Sequence, residues 1–530
     1  MQHLTFADMI DRRGEQTALV YRDRAVSFTA LAERSQRLAR GLSELGIGHG
    51  DRVAFWLPNT PDYLALFFAC ARLGAIMVSV NTRFRESEVA DIVGRSGARA
   101  LVLWPGFLGI PFLDILGAID PKTLARVETL ILYGEAGEAL PSRLPNVGRR
   151  VVSVADLGRR LPLGRPFPAE NTGCAVFTTS GTTKAPKFVL HGQHGVAAHA
   201  TDVARVFGYG GRDAKTLLPL PLCGVFGFTQ AMATLAGGRP QVVMPVFDAD
   251  EAARLILRHR ITGFNGGDDL INRLLEAVPD ARPFPTLDGL GWAAFNSALA
   301  DLPYTAEKRG LRLFGLYGMS EVHALYSRWP VDLPIAERIR AGGRPVSESA
   351  RVRVRDPESG RLLPHGEAGE IELSGPSLML EYFGNREATA AALTSDGFIR
   401  TGDLGITEPG GGFEFLTRMG DVLRLGGFLV APAEIESTLL EVPGLADAQA
   451  IAVPGPAGAR AVAFVILKPG AVLDEAAAIS HCRARIAKYK VPARVIALDA
   501  FPVTQSANGT KIQRAKLRAM AEAELAQTRP

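Results

Sequence analysis

Cysteine is scarce in this chain: there are four in 530 residues, Cys70, Cys174, Cys223 and Cys482, far apart and without a Cys-x-x-Cys pair. That spacing excludes a disulfide framework and a zinc site of the usual pattern, and a reducing cytoplasm suits it best. A strong excess of either charge is also missing. Lys and Arg total 59 against 55 Asp and Glu, a net charge of +4 with no basic block. No nucleic-acid surface is indicated, and a local basic cleft for phosphates would suffice. No apolar run is clean enough to cross a bilayer. The best, Tyr63 to Val80, carries Arg72 and Gly74 near its middle and reads as a buried helix entering a strand. The first residues are polar and acidic (Asp8, Asp11, Glu15) and lack a basic stretch followed by an apolar core, which argues against a secretory signal. Gly-x-x-x-x-Gly-Lys-Ser/Thr is absent too, so any phosphate-binding loop must be of another kind.

What the chain does contain is length and order. At 530 residues, 47% hydrophobic and 22% charged, it has room for roughly three or four compact units. Helical and strand patterns alternate at first: helix Phe28 to Leu45, strand Arg52 to Leu57, helix Pro61 to Leu73, strand Ala75 to Ser79, helix Glu86 to Ser96 and strand Ala100 to Leu103. A second alternating region covers helix Gly195 to Phe207, strand Thr216 to Leu220, helix Phe228 to Leu235, strand Gln241 to Val243 and helix Asp250 to Arg258. Such alternation predicts βαβ units on parallel sheets, here two doubly wound layers. From about Arg338 the texture changes to short strands broken by Gly and Pro, at Ala350 to Arg355, Gly369 to Leu373 and Gly412 to Leu416. That predicts a small β-barrel or a distorted sheet. After Arg418 the pattern is α+β: helix Pro432 to Glu441, strands Ala446 to Val453 and Ala461 to Leu467, and helix Ala476 to Lys488. The fold class is therefore α/β. The pattern predicts a large N-terminal domain over residues 1–418, with its β-rich part at about 338–418, and a small α+β domain over 425–530.

The chemistry concentrates in five stretches. Phe177-Thr178-Thr179-Ser180-Gly181-Thr182-Thr183-Lys184-Ala185-Pro186-Lys187 offers backbone N–H groups, hydroxyls and two ammonium groups to one anion. Leu316-Tyr317-Gly318-Met319-Ser320-Glu321 places a carboxylate where hard oxygen ligands suit Mg²⁺. Thr401-Gly402-Asp403 supplies an acceptor able to take two O–H donors at once. Arg418-Met419-Gly420-Asp421-Val422-Leu423-Arg424-Leu425-Gly426-Gly427 runs into Val430, Pro432, Glu434 and Glu436. Near the end stands Phe501-Pro502-Val503-Thr504 through Asn508-Gly509-Thr510-Lys511-Ile512.

In that order, and over essentially the whole chain, these stretches resemble the signatures of the adenylate-forming superfamily, in its acyl-CoA synthetase and acid–CoA ligase branch. The resemblance implies an ATP-dependent ligase that makes an acyl-adenylate with release of pyrophosphate, then a thioester with CoA. It implies that Thr179, Ser180, Gly181, Thr182, Thr183, Lys184 and Lys187 grip the phosphates. Tyr317 would pack on adenine, with Gly318 and Met319 beside it and Asn296, Ser297 and Ala298 opposite. Ser320 would meet the α-phosphate or acyl oxygen, Glu321 would hold Mg²⁺, Asp403 the ribose hydroxyls and Arg418 the ribose or phosphate. The resemblance also implies that 419–424 is a hinge and the small domain mobile, with Asp421 as the pivot. Gly427 would line the thiol path, and Lys511 would bridge the attacking carboxylate and the α-phosphate. ATP, Mg²⁺ and CoA follow as cofactor and co-substrates, with a small carboxylic acid as the other partner and a homodimer as the commonest oligomer.

The departures are equally specific. Lys184 stands where the family has a second glycine, Arg424 where it has lysine, and Thr510 separates Gly509 from Lys511. Gly224, in Pro221-Leu222-Cys223-Gly224, replaces a usual histidine, and Cys223 reads as a small buried hydrophobe. Asp268 and Asp269 read as a helix cap, and His191, His194 and His199 as structural residues rather than a metal site. Phe226, Phe228, Phe264, Phe295 and Leu316 suggest an apolar or cyclic acyl group, with fatty, alicyclic and aryl acids all open. Two alternatives share the motifs: a stand-alone enzyme that loads carrier-protein phosphopantetheine, and a luciferase-like oxidoreductase or non-catalytic nucleotide binder.

Overall fold

The computed structural model of the chain describes residues 4–527 with the exception of 136, 139–140, 142–146, 148–149, 165, 169–171, 180–185, 288, 296–298, 421, 426–427, 431, 455–458, 487 and 507–508. The first alternating region builds the parallel core of an eight-stranded sheet. Its order is Glu381–Tyr382, Phe188–Gly192, Gly173–Thr178, Ile76–Ser79, Arg52–Trp56, Ala100–Leu103, Thr129–Leu132 and Arg150–Ser153. Its central strands Ile76–Ser79, Ala100–Leu103 and Thr129–Leu132 are buried at every position, as expected where helices cover both faces. Helix Pro61–Leu73 shows how local chemistry sets the boundaries. Thr60 accepts from the Tyr63 amide at 3.0 Å, Pro61 occupies the first turn, and Gly74 stops the helix at φ +70°. Its Arg72 is buried, pairs with Asp11 and donates to the Ser35 hydroxyl at 3.0 Å, which resolves the charge inside the most apolar run. No helix among the described residues is long and apolar enough to cross a membrane.

The second layer is a nine-stranded sheet in the order Asn265–Gly267, Gly289–Ala293, Arg312–Met319, His323–Arg328, Gly342–Pro345, Phe413–Arg418, Ile399–Thr407, Gly369–Ser374 and Arg351–Arg355. The first three strands run parallel and the rest antiparallel. The β-rich stretch after residue 338 is thus the distorted-sheet alternative. Its strands lie in an open linear order continuous with the α/β layer, instead of closing on themselves as a small β-barrel. The link is Gly342–Pro345, which pairs with His323–Arg328 on one side and Phe413–Arg418 on the other. A third sheet joins Thr216–Leu218, Gln241–Val243 and the hairpin Thr17–Tyr21/Arg24–Ser27.

After residue 420 the described chain forms its own small sheet, Leu445–Val453, Arg460–Leu467 and Arg494–Ala497, flanked by the hairpins Leu423–Leu425/Phe428–Val430 and Val503–Ser506/Gly509–Ile512. Buried apolar residues separate in the same way. One set of clusters draws on residues up to Phe415 and the other on residues from Leu423 onward.

Candidate active site

The phosphate-loop candidate connects two antiparallel strands, Gly173–Thr178 and Phe188–Gly192. Two hydrogen bonds close its base: the Thr179 amide donates to the Lys187 carbonyl at 3.0 Å, and the Lys187 amide to the Thr179 hydroxyl at 3.1 Å. Ser180, Gly181, Thr182, Thr183 and Lys184 lie outside the described residues. Lys187 is exposed, with its Nζ 4.4 Å above the ring of Tyr382. Tyr382 reaches it because Glu381–Tyr382 pairs with Leu190 and Val189 at the edge of the sheet.

Strand Arg312–Met319 delivers Tyr317, Gly318 and Met319, and a single tight turn, Ser320–Val322, follows. Gly318 is required by packing, since a Cβ there would lie 2.6 Å from the Ala324 Cα. The turn presents Glu321, which is 6% exposed. Its carbonyl accepts from the Met379 amide at 2.8 Å and its Oε1 from the Tyr382 hydroxyl at 2.7 Å. Burial and the Glu321 charge push the Tyr382 phenol well above its ordinary range, so it remains a donor. Behind the turn His191 Nε2 donates to the Ser320 carbonyl at 2.7 Å and His199 Nε2 to the Ala324 carbonyl at 2.8 Å. Burial pushes both imidazoles down to about 4, so they are neutral.

Tyr317 also bridges to the third motif. Its hydroxyl donates to Asp403 Oδ2 at 2.5 Å. Asp403 and Arg418 face each other across adjacent strands, and Arg418 Nη1 lies 3.0 Å from Asp403 Oδ1. That contact pairs charges without an aligned hydrogen bond, so buried Oδ1 has no hydrogen-bond donor among the described residues. Burial raises the Asp403 carboxyl to about 6, against the pull of Arg418 and Tyr317, and nearby Glu321 and Glu370 raise it further. A buried carboxylate with one unengaged oxygen suits a ligand carrying hydroxyl donors. Among the described residues Glu321 engages only one oxygen, leaving the other for a hard cation.

Tyr317, Ser320, Glu321, Asp403, Arg418 and Lys187 thus converge on the junction of the first two sheets. Three other groups are not placed there. Lys511 sits in the C-terminal hairpin opposite Thr504, with its side chain outside the described residues. Asn296, Ser297 and Ala298, and Asp421 and Gly427, are likewise outside. Phe228 packs into the core against Phe67 and Phe177 rather than lining an open cavity. Burial raises the Cys223 thiol to about 12, which makes it an inert thiol. Asp268 stands in the first turn of helix Asp268–Ala277, and its Oδ2 accepts from the Phe295 amide at 2.6 Å, holding the strand end that leads to Asn296. His194 is exposed, whereas His191 and His199 are buried. No cluster able to hold a metal occurs among the described residues.

Sequence reasoning missed Tyr382, His323 and Arg95. Arg95 donates to the Pro186 carbonyl at 2.8 Å and lies 4.3 Å above the Phe188 ring, supporting the exit of the phosphate loop. Each of the three acts through strand pairing or long-range packing that leaves no local signal.

The AMP-binding enzyme family matches residues 6–383, and the AMP-binding enzyme C-terminal domain matches residues 434–508. Triostin synthetase I of Streptomyces triostinicus is 32% identical, over 97% of this chain and 93% of that protein. Sulfoacetate–CoA ligase of Cupriavidus necator is 32% identical, over 93% and 92%. Among solved structures, ATP-bound MatB from Rhodopseudomonas palustris superposes with a TM-score of 0.83 at 26% identity, over 98% of this chain and 99% of that one.

Proposed function

The chain belongs to the AMP-binding enzyme family, in its acyl-CoA synthetase branch, an AMP-forming CoA ligase that uses ATP, Mg²⁺ and CoA; we propose that the residues gathered at the sheet junction adenylate a carboxylic acid there and that CoA then takes the acyl group. The observation that carries the reading is Asp403: a buried carboxylate beside Tyr317 and Arg418, with one oxygen free of donors, next to Glu321.

In this reading Asp403 accepts from the two ribose hydroxyls, and Tyr317, with Gly318 and Met319, lies along adenine opposite Asn296, Ser297 and Ala298. Arg418 steadies ribose or phosphate. The loop from Thr179 to Lys187, including Lys184, holds the β- and γ-phosphates. Ser320 donates to the α-phosphate or acyl oxygen. Glu321 is the residue that would hold Mg²⁺, oriented by Tyr382 and by the turn behind it. When bound, Mg²⁺ neutralises phosphate charge as pyrophosphate leaves. The acid's carboxylate attacks the α-phosphorus, the bond to pyrophosphate breaks, and Lys511 offsets charge on the oxygens between them. The CoA thiol then attacks the acyl carbon, loses its proton, and AMP departs. Large and small domains at 1–418 and 425–530, hinged over 419–424, would allow Lys511 and Gly427 to alternate at the site. The separate buried cores on either side of the hinge support that division. The free cysteines suit a cytoplasmic setting.

Triostin synthetase I among the relatives supports a second reading, transfer to carrier-protein phosphopantetheine in place of free CoA. Pyrophosphate release and thioester formation with a panel of fatty, alicyclic, aryl and short polar acids, with free CoA or a holo-carrier protein, test both. Acid-dependent pyrophosphate release with acyl-CoA as product is expected. Release without acyl-CoA, but with an acylated carrier, would favour the second reading; no release with any acid would refute both.

A further inference from the structure

Three buried imidazoles are stacked directly behind the Ser320–Glu321 turn. His323 lies face to face with His191, centroids 3.7 Å apart, and parallel to His199 at 5.4 Å. They come from three elements: His191 from the strand leaving the phosphate loop, His199 from helix Gln193–Val206, and His323 from the start of strand His323–Arg328. A carbonyl can only accept, so the contacts to Ser320 and Ala324 fix the proton of His191 and of His199 on Nε2. Those two carbonyls bracket the turn. The backbone here is strained: His323, between them, has φ +63°, and Leu325, one residue past Ala324, has φ +62°. Non-glycine residues hold such conformations only where their surroundings over-determine them.

The arrangement is costly as mere packing. Among the described residues His191 Nδ1 and His323 Nε2 are buried without hydrogen-bond partners, a penalty that aliphatic side chains of similar size would avoid. It is not a metal cage either, because stacked rings direct their bare nitrogens in parallel planes instead of toward one point. What imidazole supplies, and an aliphatic side chain cannot, is a directed N–H held in a rigid plane.

We propose that His191, with His199 and the intervening His323, is a positioning residue that locks the Ser320–Glu321 turn onto the strand leaving the phosphate loop, so that loop and carboxylate meet Mg·ATP as one rigid unit. The proposal rests on the reading of Glu321 as the Mg²⁺ residue. His191 donates to the backbone of the residue before Glu321; its displacement would shift the carboxylate relative to Lys187 without removing any group that touches the nucleotide.

The test compares His191→Leu, which keeps bulk and loses the donor, with His191→Gln, whose amide can reach the same carbonyl. Calorimetric titration of the full chain with Mg·ATP and with ATP in EDTA gives the Mg²⁺-dependent gain in affinity, alongside KM values for ATP and acid and the melting temperature. The expected result is a loss of about fivefold to tenfold of that gain in the Leu variant, restored in the Gln variant, with KM for the acid unchanged. Titration of the Leu variant like the wild type, or an equal fall for Mg·ATP and Mg-free ATP in step with the melting temperature, would overturn the proposal. If His191→Leu does not accumulate folded, His199→Leu against His199→Gln is read by the same criteria. A wild type that binds ATP more tightly with Mg²⁺ but releases no pyrophosphate with any acid would refute the ligase reading and leave this one standing. A wild type indifferent to Mg²⁺ would refute this one.

Discussion

The substitution Asp403→Asn should make the protein more stable and a poorer nucleotide binder at once. In the free protein the carboxyl is raised from the ordinary 3.8 to about 6, chiefly by burial. That rise corresponds to about 3 kcal/mol by which the folded state disfavours the ionised form. A raised folded-state pKa in an acid means a penalty that is absent below about pH 4, builds up between 3.8 and 6, and is complete at neutral pH. The neutral amide of the Asp403→Asn variant escapes it while still accepting from the Tyr317 hydroxyl. The half-exposed Arg418, at 54% side-chain accessibility, is hydrated when its partner is neutral, which costs little. The expected gain is about 1–3 kcal/mol at pH 7.5, seen as a melting temperature higher by a few degrees, and no gain at pH 4. Nucleotide affinity should move the other way. If Asp403 accepts the two ribose hydroxyls as proposed, exchanging it for an amide oxygen removes about 2–3 kcal/mol, thirty- to a hundredfold in Kd for AMP or ATP. Scanning fluorimetry at both pH values, with and without ATP, measures both halves. A variant that melts below the wild type at pH 7.5, or binds AMP equally well, would refute the reasoning.

Lys511→Ala should lower acid-dependent pyrophosphate release by about a hundredfold or more while leaving the melting temperature unchanged, as its proposed role of offsetting charge in the transition state requires; equal rates would remove Lys511 from adenylation. Lys184→Gly should weaken ATP binding several-fold and spare AMP, the signature of an ammonium directed at the terminal phosphates; matched ATP titrations of variant and wild type would show that the lysine makes no such contact. Gly318→Ala should destabilise the large domain by about 2–3 kcal/mol, because its Cβ would stand 2.6 Å from the Ala324 Cα; denaturant unfolding with an unchanged midpoint would contradict the packing.

Much of the large-domain architecture is legible in periodicity. Helices Pro61–Leu73 and Glu86–Ser96 and strand Ala100–Leu103 match their expected limits, because the helices stop at Gly74 and Gly97 in the left-handed conformation and the strand is buried at every position. The hairpin Thr17–Ser27 escaped notice, since its support comes from a parallel partner, Gln241–Val243, more than two hundred residues away. The choice between barrel and open sheet also turned on pairing: the short strand Gly342–Pro345 carries little apolar signal, yet it joins both halves of the second sheet. In the candidate site, motif order points to Tyr317, Glu321, Asp403 and Arg418 as candidates, but not to Asp403 and Arg418 being cross-strand partners or to Tyr317 linking its own motif to that pair. Tyr382 and His323 were invisible because a two-residue edge strand and a residue at positive φ have no composition of their own.

The two-residue strand Glu381–Tyr382 has a consequence for how the protein is made. It sews a segment synthesised after most of the second sheet onto Phe188–Gly192, while Met379 and Tyr382 grasp Glu321 from the same segment. Closing a loop of about two hundred residues is entropically late, so the first sheet can form well before this seam. A growing chain that has emerged only as far as Tyr317 therefore carries the paired strands Gly173–Thr178 and Phe188–Gly192 but not yet Glu321, Tyr382, Asp403 or Arg418. If Asp403 and Arg418 hold the ribose as proposed, ATP binding requires the last β-rich strands, and ATP would then probe whether assembly of the large domain is complete.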